Sequence, residues 1–312
     1  MTGAATMAVL VAAYVDSKRA MGFVYDSGER CLTRFAEYCD QRGLASVTRE
    51  ACEGFGAERG AWSRELVSCL RGFARWARLR GDPDAWEPPS GYAPRRPRPE
   101  VYLLASCEVD AFFAAAGGSG CAEPWPWQAA AFFGVLASLG LRPCEARRLG
   151  RGDVDAAART VLVRDSKGPR TRLLPVTGEV SDMLAACDSA NDKLWPGRQT
   201  LFAGGDGGPV RPKTPRAVFN RIWEQAGLPR PDQPPRPRPY SFRHRFACAN
   251  IERWSREGVD AAAMLPYLQR FMGHASPEAT LYYLHISPDY LHARAGAAQT
   301  SAALLPEAGF DA

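Results

Sequence analysis

Six prolines fall within residues 83–99: Pro83, Pro88, Pro89, Pro94, Pro97 and Pro99. Proline has no backbone N–H and a fixed φ, so the stretch forms neither helix nor sheet interior. It favours an extended, semi-rigid course. A chain that carries it folds as two bodies with a spacer between them. The pattern predicts a first domain over residues 1–82, a linker over 83–100 and a second domain over 101–294. A tail of small and apolar residues, 295–312, closes the chain. The total of 312 residues agrees with about two domains, and an apolar content of 46% is enough for a core in each.

The first domain reads as an all-helical bundle. Val9, Leu10, Ala13 and Tyr14 share one face, and Cys31, Leu32, Phe35 and Tyr38 share another. Gly43 stops the second helix, and Thr48 with Glu50 and Glu53 starts a third. A fourth runs through Leu66, Leu70, Phe73 and Trp76, with Arg71 and Arg75 among the arginines along it.

Composition narrows the function. The net charge of +5 suits a nucleic-acid partner without requiring one. The longest apolar run falls short of the ~18–20 residues of a membrane span, and the N-terminus has no signal-peptide pattern. Nine cysteines without a CxxC pair read as reduced thiols of a cytoplasmic protein. Nearly all basic residues are Arg; the lysines are Lys18, Lys167, Lys193 and Lys213. Each Lys therefore draws attention, because Lys can release a proton and Arg effectively cannot.

In the second domain, Val109–Ala116 and Trp127–Leu139 read as helices. Gly140-Leu141-Arg142-Pro143-Cys144-Glu145 breaks the second of these and starts another, with Arg142 just before a helix N-terminus. Gly152–Asp155 reads as a turn. Two strand-like runs, 160–164 and 171–176, flank Asp165-Ser166-Lys167-Gly168-Pro169, which places Lys167 at a hairpin tip. Helices over Val180–Ala186 and Thr214–Ala226 follow. A Pro-rich loop then leads into a helix that begins Tyr240-Ser241-Phe242-Arg243-His244-Arg245. Near the end, an apolar helix stops at Gly273. His274, Ser276 and Pro277 make a turn, and the next helix carries Tyr282, Tyr283 and His285.

Gly273-His274, with Thr280 six residues and Tyr283 nine residues after the His, resembles the C-terminal motif of the tyrosine recombinases, the phage-integrase family. Three further boxes stand in the family's order. Gly140-Leu141-Arg142 with Glu145 resembles its first arginine box, and Ser166-Lys167-Gly168 its lysine hairpin. Phe242-Arg243-His244-Arg245-Phe246-Ala247 resembles its second arginine box, with Tyr240 three residues before Arg243 where the family most often has His. The resemblance spans roughly residues 101–292 and, less specifically, the N-terminal bundle, which resembles the core-binding domain.

The resemblance implies a mainly α fold with a small β-hairpin or sheet (α+β), made of a core-binding bundle and a catalytic domain. It also implies a site-specific recombinase that cuts and rejoins DNA through a 3′-phosphotyrosyl link. Tyr283 is then the nucleophile, and Arg142 and Arg243 clamp the phosphate with guanidinium forks. Lys167 protonates the leaving 5′ oxygen, and His274 hydrogen-bonds or positions the phosphate. Tyr240 accepts or relays a proton, poorly for a general base because an ordinary phenol titrates near ~10. Tyr282 lies about 100° round the helix from Tyr283 and packs. The chemistry needs no metal or other cofactor. The implied partner is double-stranded DNA, bound by a homo-tetramer that is monomer or dimer when free, with accessory recombinases in some systems. Arg71, Arg75, Arg95, Arg96, Arg98, Arg172 and Arg245 are the expected DNA-contacting arginines. Competing readings are type IB topoisomerase-like cleavage, a DNA-binding regulator or accessory subunit with decayed catalysis, and a plain helical interaction protein.

Overall fold

The computed structural model describes residues 6–93, 100–118, 120–164 and 171–287. They form two compact units, one up to residue 93 and one from residue 100. The fold is mainly helical with one small sheet, as expected. Among the described residues no helix is long and apolar enough to cross a membrane.

The first unit is a bundle of α1 (Met7–Ala20), α2 (Asp26–Gln41), α3 (Arg49–Glu58) and α4 (Arg64–Leu79). The hydroxyls of Thr48 and Ser63 accept the N–H groups of Ala51 and Leu66, each at 3.1 Å, and so open α3 and α4. Leu32, Phe35, Leu66, Leu70 and Phe73 fill the core. The buried face of α1 is Met7, Val11, Tyr14 and Val15, whereas Val9 is 57% exposed. The helix is apolar nearly all round, so periodicity alone does not choose its inner face. Residues 83–93 lie on this bundle. Ala85 is buried, the Trp86 N–H donates to Val47 O at 2.7 Å, and the Tyr92 hydroxyl donates to Glu53 at 2.5 Å.

The second unit is built round α6 (Trp125–Ser138), which buries residues on every side. Against it and one another pack α5 (Ser106–Ala116), α8 (Gly178–Leu194), α9 (Thr214–Gln225) and α10 (Tyr240–Arg256). Phe112 meets Phe133, Phe219 and Phe242, each with ring centroids 5.1 Å apart, and Phe133 and Phe219 lie 6.0 Å from each other. Truncating one such ring costs roughly 3–5 kcal/mol.

The sheet has three antiparallel strands in the order β1 (Val154–Asp155), β2 (Thr160–Val163) and β3 (Arg172–Pro175). The expected turn at Gly152–Asp155 is thus half strand. A single 3-10 turn at Arg151–Asp153 leads into β1, anchored where the Asp153 carboxylate accepts the Gly150 N–H at 2.8 Å. Val163 pairs with Arg172, so Arg172 stands at the base of the hairpin.

A second, smaller core joins α10 to α11 (Ala261–Met272) and α12 (Glu278–Ile286) through Ile251, Leu268, Met272 and Tyr283. The four-residue α7 (Pro143–Ala146) starts immediately after Arg142.

Candidate active site

Polar side chains converge where α7, β3, α10 and the α11–α12 turn meet. Glu145, Arg243, His244 and His274 are all buried there, and Arg243 is fully enclosed. Burying charge is costly unless it is paired. Glu145 supplies the pairing. One carboxylate oxygen takes Arg142 Nη1 at 2.6 Å and Arg172 Nη1 at 3.2 Å. The other takes the Arg142 N–H at 2.8 Å and Arg172 Nη2 at 2.9 Å. Arg243 Nη1 stands 3.9 Å from the same carboxylate. Burial alone would raise the Glu145 pKa, but Arg172 and Arg142 outweigh it and hold the carboxyl below its ordinary range.

One side-chain nitrogen of each guanidinium finds the C-terminal end of α11. Arg172 Nε donates to Phe271 O at 2.9 Å, Arg243 Nη2 to Met272 O at 2.8 Å and Arg142 Nη2 to Gly273 O at 2.9 Å. Those carbonyls have no partner within the helix, and the helix dipole adds negative character at that end. Arg243 Nη1 donates to Gly140 O. Gly273 makes the arrangement possible. Its φ is +67°, and an added Cβ would lie 2.7 Å from Arg172 Nη1.

Three guanidinium groups gather round this one carboxylate, and the nearby histidines add no charge. Burial first, then Arg243, Arg142 and Arg172, push the His274 pKa down to about 3. Burial with Arg238 and Arg243 pushes that of His244 down to about 4. Both rings are neutral near pH 7. His274 Nδ1 pairs with Thr280 Oγ1 at 2.7 Å, and its ring stacks on Tyr283 with centroids 6.0 Å apart. Tyr283 is 3% exposed, and its hydroxyl lies 3.2 Å from His244 Nδ1. Burial raises the Tyr283 pKa, followed by Tyr240, while Arg243 and Arg142 pull it back. The arrangement offers a phenol nucleophile beside fixed cations able to hold an oxyanion.

Of the residues singled out in the sequence, Arg142, Arg172, Tyr240, Arg243, His274 and Tyr283 come together here. Tyr240 is half-buried, its ring 4.9 Å from that of His244. Tyr282 is half-buried beside Tyr283. Arg245 turns away to Glu252 at 2.9 Å and Ser106 at 3.0 Å. In the first unit, Arg71 and Arg75 each reach Glu87 at 2.6 Å. Lys167, Arg95, Arg96 and Arg98 lie outside the described residues.

Sequence reasoning missed two members. Glu145 stood in the first arginine box without a role of its own. His244 follows Tyr240 by four residues and Arg243 by one, and the first interval puts it on the helix face of Tyr240. That interval was the available signal.

A family model described as "Phage integrase family" matches residues 104–289. The chain is 29% identical over 297 residues to "Putative integrase/recombinase y4rB" of Sinorhizobium fredii (strain NBRC 101917 / NGR234), covering 89% of this chain and 92% of that one. It is 28% identical over 287 residues to "Tyrosine recombinase XerC 2" of Ralstonia nicotianae (strain ATCC BAA-1114 / GMI1000), covering 84% and 76%. Among solved structures, the XerH site-specific recombinase bound to palindromic difH substrate superposes with a TM-score of 0.63 at 18% identity, covering 93% of this chain and 84% of that one. The Tn1549 transposon integrase in complex with circular intermediate DNA gives 0.56 at 17%, covering 88% and 94%.

Proposed function

We propose a function from one premise: the chain belongs to the phage integrase family. It is a tyrosine-type site-specific recombinase that binds double-stranded DNA, cuts a strand and rejoins it. The observation that supports this best is the enclosure of Tyr283 among neutral histidines beside the guanidinium groups of Arg142 and Arg243.

In this reading Tyr283 Oη attacks the scissile phosphorus. Arg142 and Arg243 hold the non-bridging oxygens, where charge grows in the transition state. His274 steadies the Tyr283 ring from its stacked position. Lys167 gives its proton to the departing 5′ oxygen. The product is a 3′-phosphotyrosyl link and a free 5′-OH. Attack by the 5′-OH of a partner strand reverses the step, so the phosphodiester energy is conserved without a nucleotide cofactor. Arg172 has all three side-chain nitrogens engaged by Glu145 and Phe271 O and so fits a scaffold better than a direct DNA contact, whereas Nε of Arg243 has no protein partner.

Arg71 and Arg75 on the first unit, Arg245 on α10 and the linker arginines Arg95, Arg96 and Arg98 contact the phosphate backbone in this reading. The protein works in the cytoplasm, as a tetramer on two paired sites. The tail 295–312 passes to a neighbouring subunit.

Nicked duplexes drawn from the flanks of the protein's own gene provide the test, run on a denaturing gel without added metal. Wild type and Tyr282→Phe give a shifted, protease-sensitive band, and Tyr283→Phe gives none. A band that survives in Tyr283→Phe, or is absent in wild type, overturns the reading.

A further inference from the structure

The reaction as set out leaves the Tyr283 proton without a destination. Tyr240, at the position where a His is expected, is a phenol, and an ordinary phenol is a poor proton acceptor near neutral pH. His274 does not offer its Nδ1, which is engaged with Thr280 at 2.7 Å. It meets Tyr283 face to face, with ring planes 16° apart, and a stacked ring presents its π face rather than a nitrogen lone pair.

His244 is placed differently. Its Nδ1 stands 3.2 Å from Tyr283 Oη, and its Nε2 is buried without a protein partner. The titratable and charged groups that face it are Tyr283 from α12, Tyr240 and Arg243 from its own helix, and Arg238 from the preceding loop. Burial leaves its ring neutral at pH 7, so one ring nitrogen is an acceptor. Burial also keeps the Tyr283 hydroxyl protonated, so the phenol is the donor.

We propose that His244 is the proton acceptor for the nucleophile: the Tyr283 hydroxyl donates to His244 Nδ1, and the proton passes to that nitrogen as Tyr283 attacks. This rests on the cleavage reading above. The Oη–P bond forms and the P–O5′ bond breaks. The phenol proton goes to His244 Nδ1, and O5′ takes a proton from Lys167. Rejoining runs each transfer backwards. A phosphodiester anion held by Arg243 offsets one of the two positive charges that disfavour protonated His244, so bound DNA strengthens the base.

The test uses the full chain and two nicked duplexes from the flanks of its gene. One is unmodified, and the other carries sulfur at the 5′-bridging position, where a thiolate departs without needing an acid. Covalent attachment is timed for wild type, His244→Phe, His244→Gln and Lys167→Ala across about pH 5.5 to about pH 9. On both duplexes His244→Phe is expected to be slower by roughly 100-fold or more, within the usual range for a lost proton acceptor. Lys167→Ala recovers on the sulfur duplex. The wild-type rate is level with pH. The His244→Phe rate climbs about tenfold per pH unit, because pre-formed tyrosinate must then attack. His244→Gln accepts the hydrogen bond but not the proton, and follows His244→Phe. A His244→Phe rate equal to wild type overturns the proposal. So does a slow rate with the level wild-type profile, which would mark a merely structural role. Absence of any adduct with wild type overturns the cleavage reading itself.

Discussion

Each unit gathers arginines round a single glutamate, with opposite consequences. On the first unit Glu87 holds Arg71 and Arg75, whose side chains are 32% and 64% exposed. In the second, Glu145 holds Arg142 and Arg172 and stands close to Arg243, with 1% of its side chain exposed. Solvent screens the first cluster, so its ion pairs exchange easily for a phosphate. The second is enclosed and braced by the end of α11, which holds its guanidinium groups in place. One arrangement suits adjustable backbone contact, and the other suits catalytic preorganisation.

Breaking the enclosed cluster has the largest expected effect. Glu145→Ala leaves buried guanidinium groups uncompensated and should cost roughly 3–5 kcal/mol, read as a lowered urea midpoint. Acid should separate the two units next. All four histidines lie in the second unit's share of the chain, and those at 244 and 274 have pKa values lowered to about 4 and about 3. A group depressed on folding contributes stability above its unfolded pKa, ~6.5 for His, and loses it as pH falls through the folded value. Calorimetry should show the second unit weakening as the pH drops from about 6.5 towards about 4, with a smaller slope in His244→Phe. Gly273→Ala comes third. The left-handed backbone alone makes it cost roughly 1–2 kcal/mol, and the contact with Arg172 adds to this. Smallest is Glu87→Gln. No measurable shift of the urea midpoint is expected, while gel-shift affinity for duplex DNA holds or rises. A large loss of stability there would erase the contrast between the clusters.

How legible each region was follows from how local its causes are. The second to fourth helices of the first unit declared themselves through apolar spacing, and the third also through the cap Thr48. The hairpin pairing of β2 with β3 was legible in two alternating runs round a Gly-Pro loop. The two-residue β1 has no period to read, and tertiary pairing creates it. Arg142, Arg243, His274 and Tyr283 were legible because their order and spacing are distinctive. Glu145 was visible in its box but its role was hidden, because its work is done with Arg172, 27 residues away. His244 was hidden behind Tyr240 and Arg243, which filled the expected pattern.

The bonds to the α11 end also set when the site can exist. Arg142 reaches Gly273 across 131 residues and Arg172 reaches Phe271 across 99. Contacts of such span are late events in folding, and ribosomes deliver the chain N-terminus first. A nascent or prematurely terminated polypeptide that stops short of α11 therefore displays Arg71 and Arg75 of the first unit without the assembled cluster round Glu145. On the proposed reading, an unfinished copy could hold DNA but not cut it.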